Sequence, residues 1–247
     1  MIILELEEKA HNVKVGDICP FIEPNIVEDT IFTIDGKPIG FYLRDISKYS
    51  PKAAQLADIA DNELRSKRVP KSVMKRSSGF IDGDKEKQVE QYSTILGSIP
   101  PKPHMRRPYP SRSSVHNVAT AKTFVKAMLM LAIESEDIIK KLTPDLYKKQ
   151  KDLISKNINI DWRFGDLFTS SISNFNIAAD FHRDNGNLKG CSNVIIAKRK
   201  NSIGGCTTIP DYGATVDSCD NSMLYYPAWR NIHGVTPITP THKGGYR

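Results

Sequence analysis

The chain has 247 residues, 39% hydrophobic and 26% charged, enough apolar content to bury a core and too much for a disordered tail. No apolar run reaches the roughly 18 residues of a membrane span, the start lacks the basic-then-apolar layout of a secretory signal, and Cys19, Cys191, Cys206 and Cys219 form neither a CxxC motif nor a dense framework, so a reduced, intracellular, cytoplasmic setting is expected. The formal net charge of +7 is uneven: residues 1–63 hold 12 acids and 6 bases, a net of −6, which leaves +13 for residues 64–247.

In chain order, Asp29 to Tyr42 reads as two short strands around the turn Asp35-Gly36-Lys37-Pro38. Pro51 to Leu64 carries Ala54, Leu56, Ala57 and Ala60 at helical spacing. Lys67 to about Asp84 is basic and Ser/Gly-rich and reads as a loop or surface arm. Arg65, Lys67, Arg68, Lys71, Lys75 and Arg76 fall in twelve residues without one acid, and a second acid-free stretch, Gln91 to Ile133, holds Arg106, Arg107 and Arg112. Two such stretches favour a polyanionic partner over a merely solvated surface, and nucleic acid is the usual one.

The Pro-dense segment Ile99 to Pro110 cannot be helix or central strand and is expected to be extended. Val118 to Ala132 predicts an amphipathic helix of about five turns. Thr143 and Pro144 then read as the cap and first position of a second helix. After Asp161 the pattern turns to strands. These are Leu167 to Ala178, then Asn193 to Lys198 with Cys206 to Ile209 as hairpin partner across Asn201–Gly205, then Ser222 to Trp229 and Ile232 to Ile238. Short strands with turn signals at this spacing argue for a sandwich or jelly roll. The expected organisation is α+β: an N-terminal α/β region over 1–115, buttressing helices over 116–160, and a mainly β core over 161–247.

The chemistry concentrates in His182-Arg183-Asp184, His233 and Arg247. Residues i and i+2 of a strand share a face, so on a strand His182 and Asp184 reach one metal together. His233, 51 residues after His182, can return to the same mouth in a rolled sheet. Two histidines and a carboxylate that leave positions open suit a non-haem Fe(II) oxygenase. Arg247, 14 residues after His233, offers a guanidinium for the bidentate pair that a carboxylate requires. His-Arg-Asp also occurs in the kinase catalytic loop, but Lys189 stands where that loop needs its metal-binding Asn, and no Gly-rich loop or Asp-Phe-Gly is present.

With this combination the chain resembles the Fe(II)/2-oxoglutarate-dependent dioxygenases, whose core is a double-stranded β-helix, over roughly Asp161 to Arg247. The stretches Phe181-His-Arg-Asp-Asn-Gly-Asn-Leu-Lys-Gly190, Gly204-Gly205, Pro210-Asp-Tyr-Gly213 and His233-Gly-Val-Thr-Pro-Ile238 are similar to the compact, phage-type members of the TET/JBP branch. That branch oxidises the 5-methyl group of pyrimidines in DNA. The resemblance implies His182, Asp184 and His233 as iron ligands and Arg247 as holder of the distal carboxylate of 2-oxoglutarate. O2 would be the oxidant and ascorbate the reductant. In the family the chain normally continues past this arginine as a further strand, whereas this sequence ends at it.

Weaker candidates accompany these. Asn174 and Asn176 share the parity of His182 one strand earlier, as cosubstrate or base-edge ligands or as strand-end amides. Tyr226 is a candidate at the keto acid and Tyr212 a candidate stacking platform, each with core packing as the alternative. The nine basic residues would contact phosphate, and the target base would be flipped out or single-stranded. No membrane and no obligate protein partner is expected; the cytoplasm would be the host's for a phage-encoded member. The rival readings are an oxygenase of the same class acting on a protein side chain, RNA or a small molecule, and a non-catalytic nucleic-acid-binding jelly roll.

Overall fold

The structure, a computed structural model, describes residues 1–81, 84–99, 101 and 109–247, with the backbone alone for 75–81 and 84–89. The side chains of Lys75 and Arg76, the whole of Arg106 and Arg107, and most of the Pro-dense segment lie outside the described residues. In chain order the elements are β1 (Ile2–Glu5), β2 (Thr30–Ile34), β3 (Lys37–Leu43), α1 (Pro51–Arg65), β4 (Lys75–Ile81), β5 (Asp84–Ile99), β6 (Ser111–Arg112), α2 (Lys122–Leu142), α3 (Pro144–Asn157), β7 (Ser170–Phe175), β8 (Ala179–His182), β9 (Asn193–Ile196), β10 (Ser202–Gly204), β11 (Thr207–Ile209), β12 (Ala214–Val216), β13 (Met223–Tyr226), β14 (His233–Val235) and β15 (Ile238–Pro240). They fall into two interleaved units, one of residues 1–49, 78–90 and 175–247, the other of 50–77 and 91–174.

The first unit holds two larger sheets and a two-stranded one. Asp35 and Gly36 both take positive φ (51° and 68°), the conformation of a two-residue hairpin turn, and so bring β2 back on β3. One sheet runs β1-β2-β3-β13-β9, with β1 parallel to β2 and the other neighbours antiparallel. Its fourth strand, β13, is Met-Leu-Tyr-Tyr and buried at every position, as expected of a strand covered on both faces. A second sheet runs β12-β11-β14-β8, and β10 pairs with β15. Phe32, Tyr42 and Leu224 from the first sheet meet Ile209, Ala214 and Val216 from the second in one apolar core.

Several expectations change here. The β core does not start at 161, because β1, β2 and β3 supply three of the five strands of the first sheet. The β9–β11 hairpin does not form: β9 pairs with β13, while β11 lies between β12 and β14. In a rolled double sheet a connection can carry the chain from one sheet to the other, as between β9 and β11, so neighbours in sequence need not be hydrogen-bonded neighbours. Lys67 to Asp84 is not all loop, since β4 begins at Lys75; its Lys, Ser and Gly content hides a strand held by main-chain bonds to β5.

In the second unit α1 packs on α2, burying Leu56, Ala57, Ala60 and Leu64 together with Phe124, Ala127 and Leu131. Ser50 caps α1, its Oγ accepting the Ala53 N–H at 3.1 Å, and Pro51 occupies the first position. Thr143 does not cap α3 in the same way. Its hydroxyl donates back to the Ile139 carbonyl at 3.1 Å and closes α2 instead. β6 and β7 both pair with β5. Among the described residues no helix is long and apolar enough to cross a membrane.

Gly40 in β3 lies against the main chain of β13, and a Cβ there would stand 2.2 Å from the Tyr225 carbonyl oxygen. Gly40→Ala is therefore expected to force these strands apart at a cost of about 1–3 kcal/mol. The reading is a lower urea midpoint; an unchanged midpoint would show that the two strands do not depend on this close approach.

Candidate metal centre

His182 is the last residue of β8 and His233 the first of β14, and the two are direct cross-strand partners. Their ring centroids stand 4.3 Å apart at 56°. A register shift between His233 and Val235 bends β14 just beyond the histidine, as bulges beside functional side chains do. Asp184 is not on the strand, contrary to the i, i+2 argument. It lies two residues past the end of β8, where its N–H donates to the Ala228 carbonyl at 3.4 Å. This turn brings Asp184 Oδ1 to 3.6 Å from His182 Nε2 and 3.9 Å from His233 Nε2. Ligand atoms of all three residues lie within 4.8 Å of one another.

The far side of each of these groups is occupied. His182 Nδ1 is 2.7 Å from the Asp180 carbonyl and His233 Nδ1 is 3.2 Å from that of Asn231. A carbonyl can only accept, so each ring carries its proton on Nδ1 and keeps a lone pair on Nε2. Asp184 Oδ2 accepts from Asn187 Nδ2 at 3.1 Å and from Asn193 Nδ2 at 2.9 Å. Two nitrogens and one oxygen are thus left facing a common point, the donor set that suits Fe(II) with open positions. The His233 side chain is 5% exposed, against 39% for His182 and 31% for Asp184, so access is from the side of His182 and Asp184. Burial, with the neighbouring His182, holds His233 below the usual histidine range, against the opposing pull of the Asn231 carbonyl and Asp184.

Arg247 lies in the same unit. Asn176, at φ 54°, clamps its main chain: the Arg247 N–H donates to Asn176 Oδ1 at 3.0 Å, and the Asn176 N–H donates to the Arg247 carbonyl at 2.7 Å. The guanidinium threads past Gly205, where a Cβ would stand 2.7 Å from Arg247 Cδ. Nη2 donates to Ser218 Oγ at 3.2 Å. Nε is buried without a hydrogen-bond partner. Burial lowers the Arg247 pKa to about 10, so the group stays charged at neutral pH. A buried, charged guanidinium with an unsatisfied N–H fits an incoming carboxylate.

The other candidate residues distribute as follows. Asn176 Oδ1 accepts from the Arg247 N–H and its Nδ2 donates to the Glu90 carbonyl, 3.4 Å away, so its amide holds the Arg247 main chain. Asn174 is exposed on β7; Asn176 lies beyond that strand, and the shared-parity argument fails there. Tyr226 stands edge-on to His233 with centroids 5.6 Å apart, and burial, then the Asp184 charge, pushes its phenol well above the usual range. Tyr212 is 5% exposed inside the apolar core, so its ring offers no face to a base. Arg65 and Arg68 pair with Asp61 and Glu63 of α1. Lys67, Lys71 and Arg112 are exposed. The carboxylate-orienting Asn187 and Asn193 were missed; the only hint was Asn187, three residues after Asp184 in a Gly-containing turn.

No protein-family model matches the sequence, and no curated protein matches it. Solved structures do. NgTET1 in complex with 5mC DNA superposes with a TM-score of 0.54 at 11% identity, over 97% of this chain and 80% of that one. OsALKBH1 superposes with a TM-score of 0.40 at 14% identity, over 79% and 92%, a likeness too slight to carry weight. The first likeness shows the fold alone: this chain folds like NgTET1, as an α+β protein with a jelly-roll core.

Asn187→Ala with Asn193→Ala is expected to weaken Co(II), an air-stable stand-in for Fe(II), by about 10–100-fold, while Asp184→Ala abolishes binding. Competition against a fluorescent chelator measures both. Undiminished affinity in the double variant would mean that the amides do not orient the carboxylate.

Proposed function

We propose that the protein is an Fe(II)/2-oxoglutarate-dependent dioxygenase acting on nucleic acid, and that it hydroxylates the 5-methyl group of a pyrimidine, thymine or 5-methylcytosine, in DNA. The observation that carries the reading is the convergence of His182 Nε2, His233 Nε2 and Asp184 Oδ1, each with its remaining hydrogen-bonding capacity tied to the protein. Iron held there would supply the activation of dioxygen. One oxygen atom enters the substrate C–H bond as hydroxyl, the other enters succinate, and CO2 leaves.

The chain's own residues set the conditions. His182, His233 and Asp184 hold the metal from one side and leave the exposed side to cosubstrate and substrate. Tyr226 packs against the His233 ring and keeps water from it. Arg247, with its unsatisfied Nε, binds the distal carboxylate of 2-oxoglutarate, and Asn176 sets where that arginine stands. No acid/base dyad at the substrate is needed, since hydrogen leaves the methyl group without an enzyme base. DNA as substrate is supported by the net positive charge of the chain and by the 5mC DNA held by NgTET1. A methyl group inside a duplex cannot reach such a centre, so the base is flipped out or the strand is single.

Nucleoside mass spectrometry of DNA containing thymine and 5-methylcytosine, incubated with the protein, Fe(II), 2-oxoglutarate and ascorbate, tests the reading. The expected product is a pyrimidine nucleoside heavier by one oxygen atom, formed with equimolar succinate. Succinate without altered DNA would keep the oxygenase and discard the DNA substrate, and neither product would discard both. Arg247→Ala is expected to raise the KM for 2-oxoglutarate by about 10–100-fold, the worth of a charge-assisted hydrogen bond, with Arg247→Lys recovering part of it.

A further inference from the structure

A second concentration of charge adjoins the metal centre. Glu8, Lys9, Arg183, Asp211, Arg230 and Asn231 line an open cleft of about 270 Å³, and its wall shares residues with the site just described. Arg183 stands between His182 and Asp184 in the chain. Asn231 orients His233 through its carbonyl and donates its side-chain amide to Asp211 Oδ2. Lys9 is anchored by its N–H on the Asp211 carbonyl at 2.7 Å. Its side chain lies across Gly213, where a Cβ would stand 3.1 Å from Nζ.

The two acids and three bases of the cleft are not equivalent. Asp211 is already engaged on both oxygens, with His11 Nε2 2.6 Å from Oδ1 and Asn231 on Oδ2. Glu8 is a single exposed carboxylate. Lys9, Arg183 and Arg230 are exposed, and none makes a close ion pair among the described residues, although against burial, and with the Asn231 and His11 hydrogen bonds, the Arg183 charge helps to hold the Asp211 carboxyl down. Three exposed cations lining one polar cleft, two of them guanidinium forks, outnumber its two acids, one of which is already engaged on both oxygens, and so suit an oxyanion. Sequence-independent phosphate contacts of this kind fix the register of a strand on a protein and leave base recognition to the pocket.

We propose that this cleft holds a backbone phosphate of the DNA strand whose base reaches the metal centre, with Lys9, Arg183 and Arg230 as the residues that bind it. The assignment rests on the nucleic-acid reading above, and it adds which cations guide the strand to the site. It also moves part of the DNA footprint away from the acid-free stretches and into the unit that carries the metal ligands.

The test is fluorescence anisotropy of a labelled single-stranded oligodeoxynucleotide with the Co(II)-loaded protein, across a series of chloride concentrations. In Lys9→Gln with Arg230→Gln, the slope of log K against log salt is expected to flatten by up to ~0.7, the share of the one single-strand phosphate that is no longer neutralised. Arg230→Lys should restore about half of that. Co(II) affinity measured on the same double variant reports that its metal centre is intact. An unchanged slope in a variant that still binds Co(II) would overturn the cleft while leaving a DNA-binding oxygenase in place. Absence of DNA binding by the unmodified protein would overturn the DNA reading and the cleft together. If inorganic phosphate at matched ionic strength is bound through Lys9 and Arg230 while the DNA slope is unaffected by their removal, the ligand is a small anion and the strand assignment fails.

Discussion

The pairing of β8 against β14 is the constraint on which the candidate centre rests. It sets His182 and His233 opposite each other as cross-strand neighbours, so no loop has to find the second imidazole. Everything else in the site corrects that starting geometry. The bulge after His233 bends its strand, the two main-chain carbonyls fix the ring tautomers, and the turn after His182 returns Asp184 to the gap between them. The two asparagine amides then hold one carboxylate oxygen so that the other faces inward. Removing a ligand's hydrogen-bond partner should therefore act on metal affinity without first acting on the fold, because the pairing of the strands does not depend on it.

Arg247 illustrates the complementary device, a buried charge held ready. Desolvation depresses its pKa, yet the guanidinium remains protonated because burial does not overcome the intrinsic basicity of the group. Such an arrangement is costly in the absence of an anion. Asn176 and the packing at Gly205 fix the chain around it, and a bound carboxylate would offset the cost. Asn176 and Ser218 thus act on the arginine as Asn187 and Asn193 act on Asp184: each hydrogen-bonds a candidate binding group and holds it in place.

Local features were legible in the sequence and non-local ones were not. The β2–β3 hairpin follows from Asp35-Gly36, and α1 from Ser50-Pro51 and its apolar spacing. The three metal-directed side chains could be picked out by residue type and order, and the resemblance named the fold that the superposition shows. Strand partners are a different matter, since β13 chooses β3 and β9 through burial on both faces, which leaves no alternation to read. β4 and β5 were hidden because Lys, Ser, Glu and Gln dominate them and their order comes from main-chain bonds. Tyr212 and Asn176 looked like pocket residues from parity and type, but their roles are decided by packing and by a left-handed backbone position. The cleft escaped notice because Lys9 and Arg230 stand singly in the chain and Arg183 reads only as the middle of His182-Arg183-Asp184, whereas runs of basic residues draw attention.

The position of β13 between β3 and β9 has a consequence for how the protein is made. Leu43 pairs with Met223, a residue synthesised 180 positions later, which at ribosomal speeds is a delay of ~10–40 s. Until Met223 is made, the β3 edge, rich in Phe, Tyr and Leu, lacks its partner strand, whereas α1 has α2 available once residue 142 is made. Such an edge is the part of a nascent chain most exposed to mispairing. Recovery of the protein from expression should thus depend on what shields β3 during synthesis, more than on any residue that binds metal.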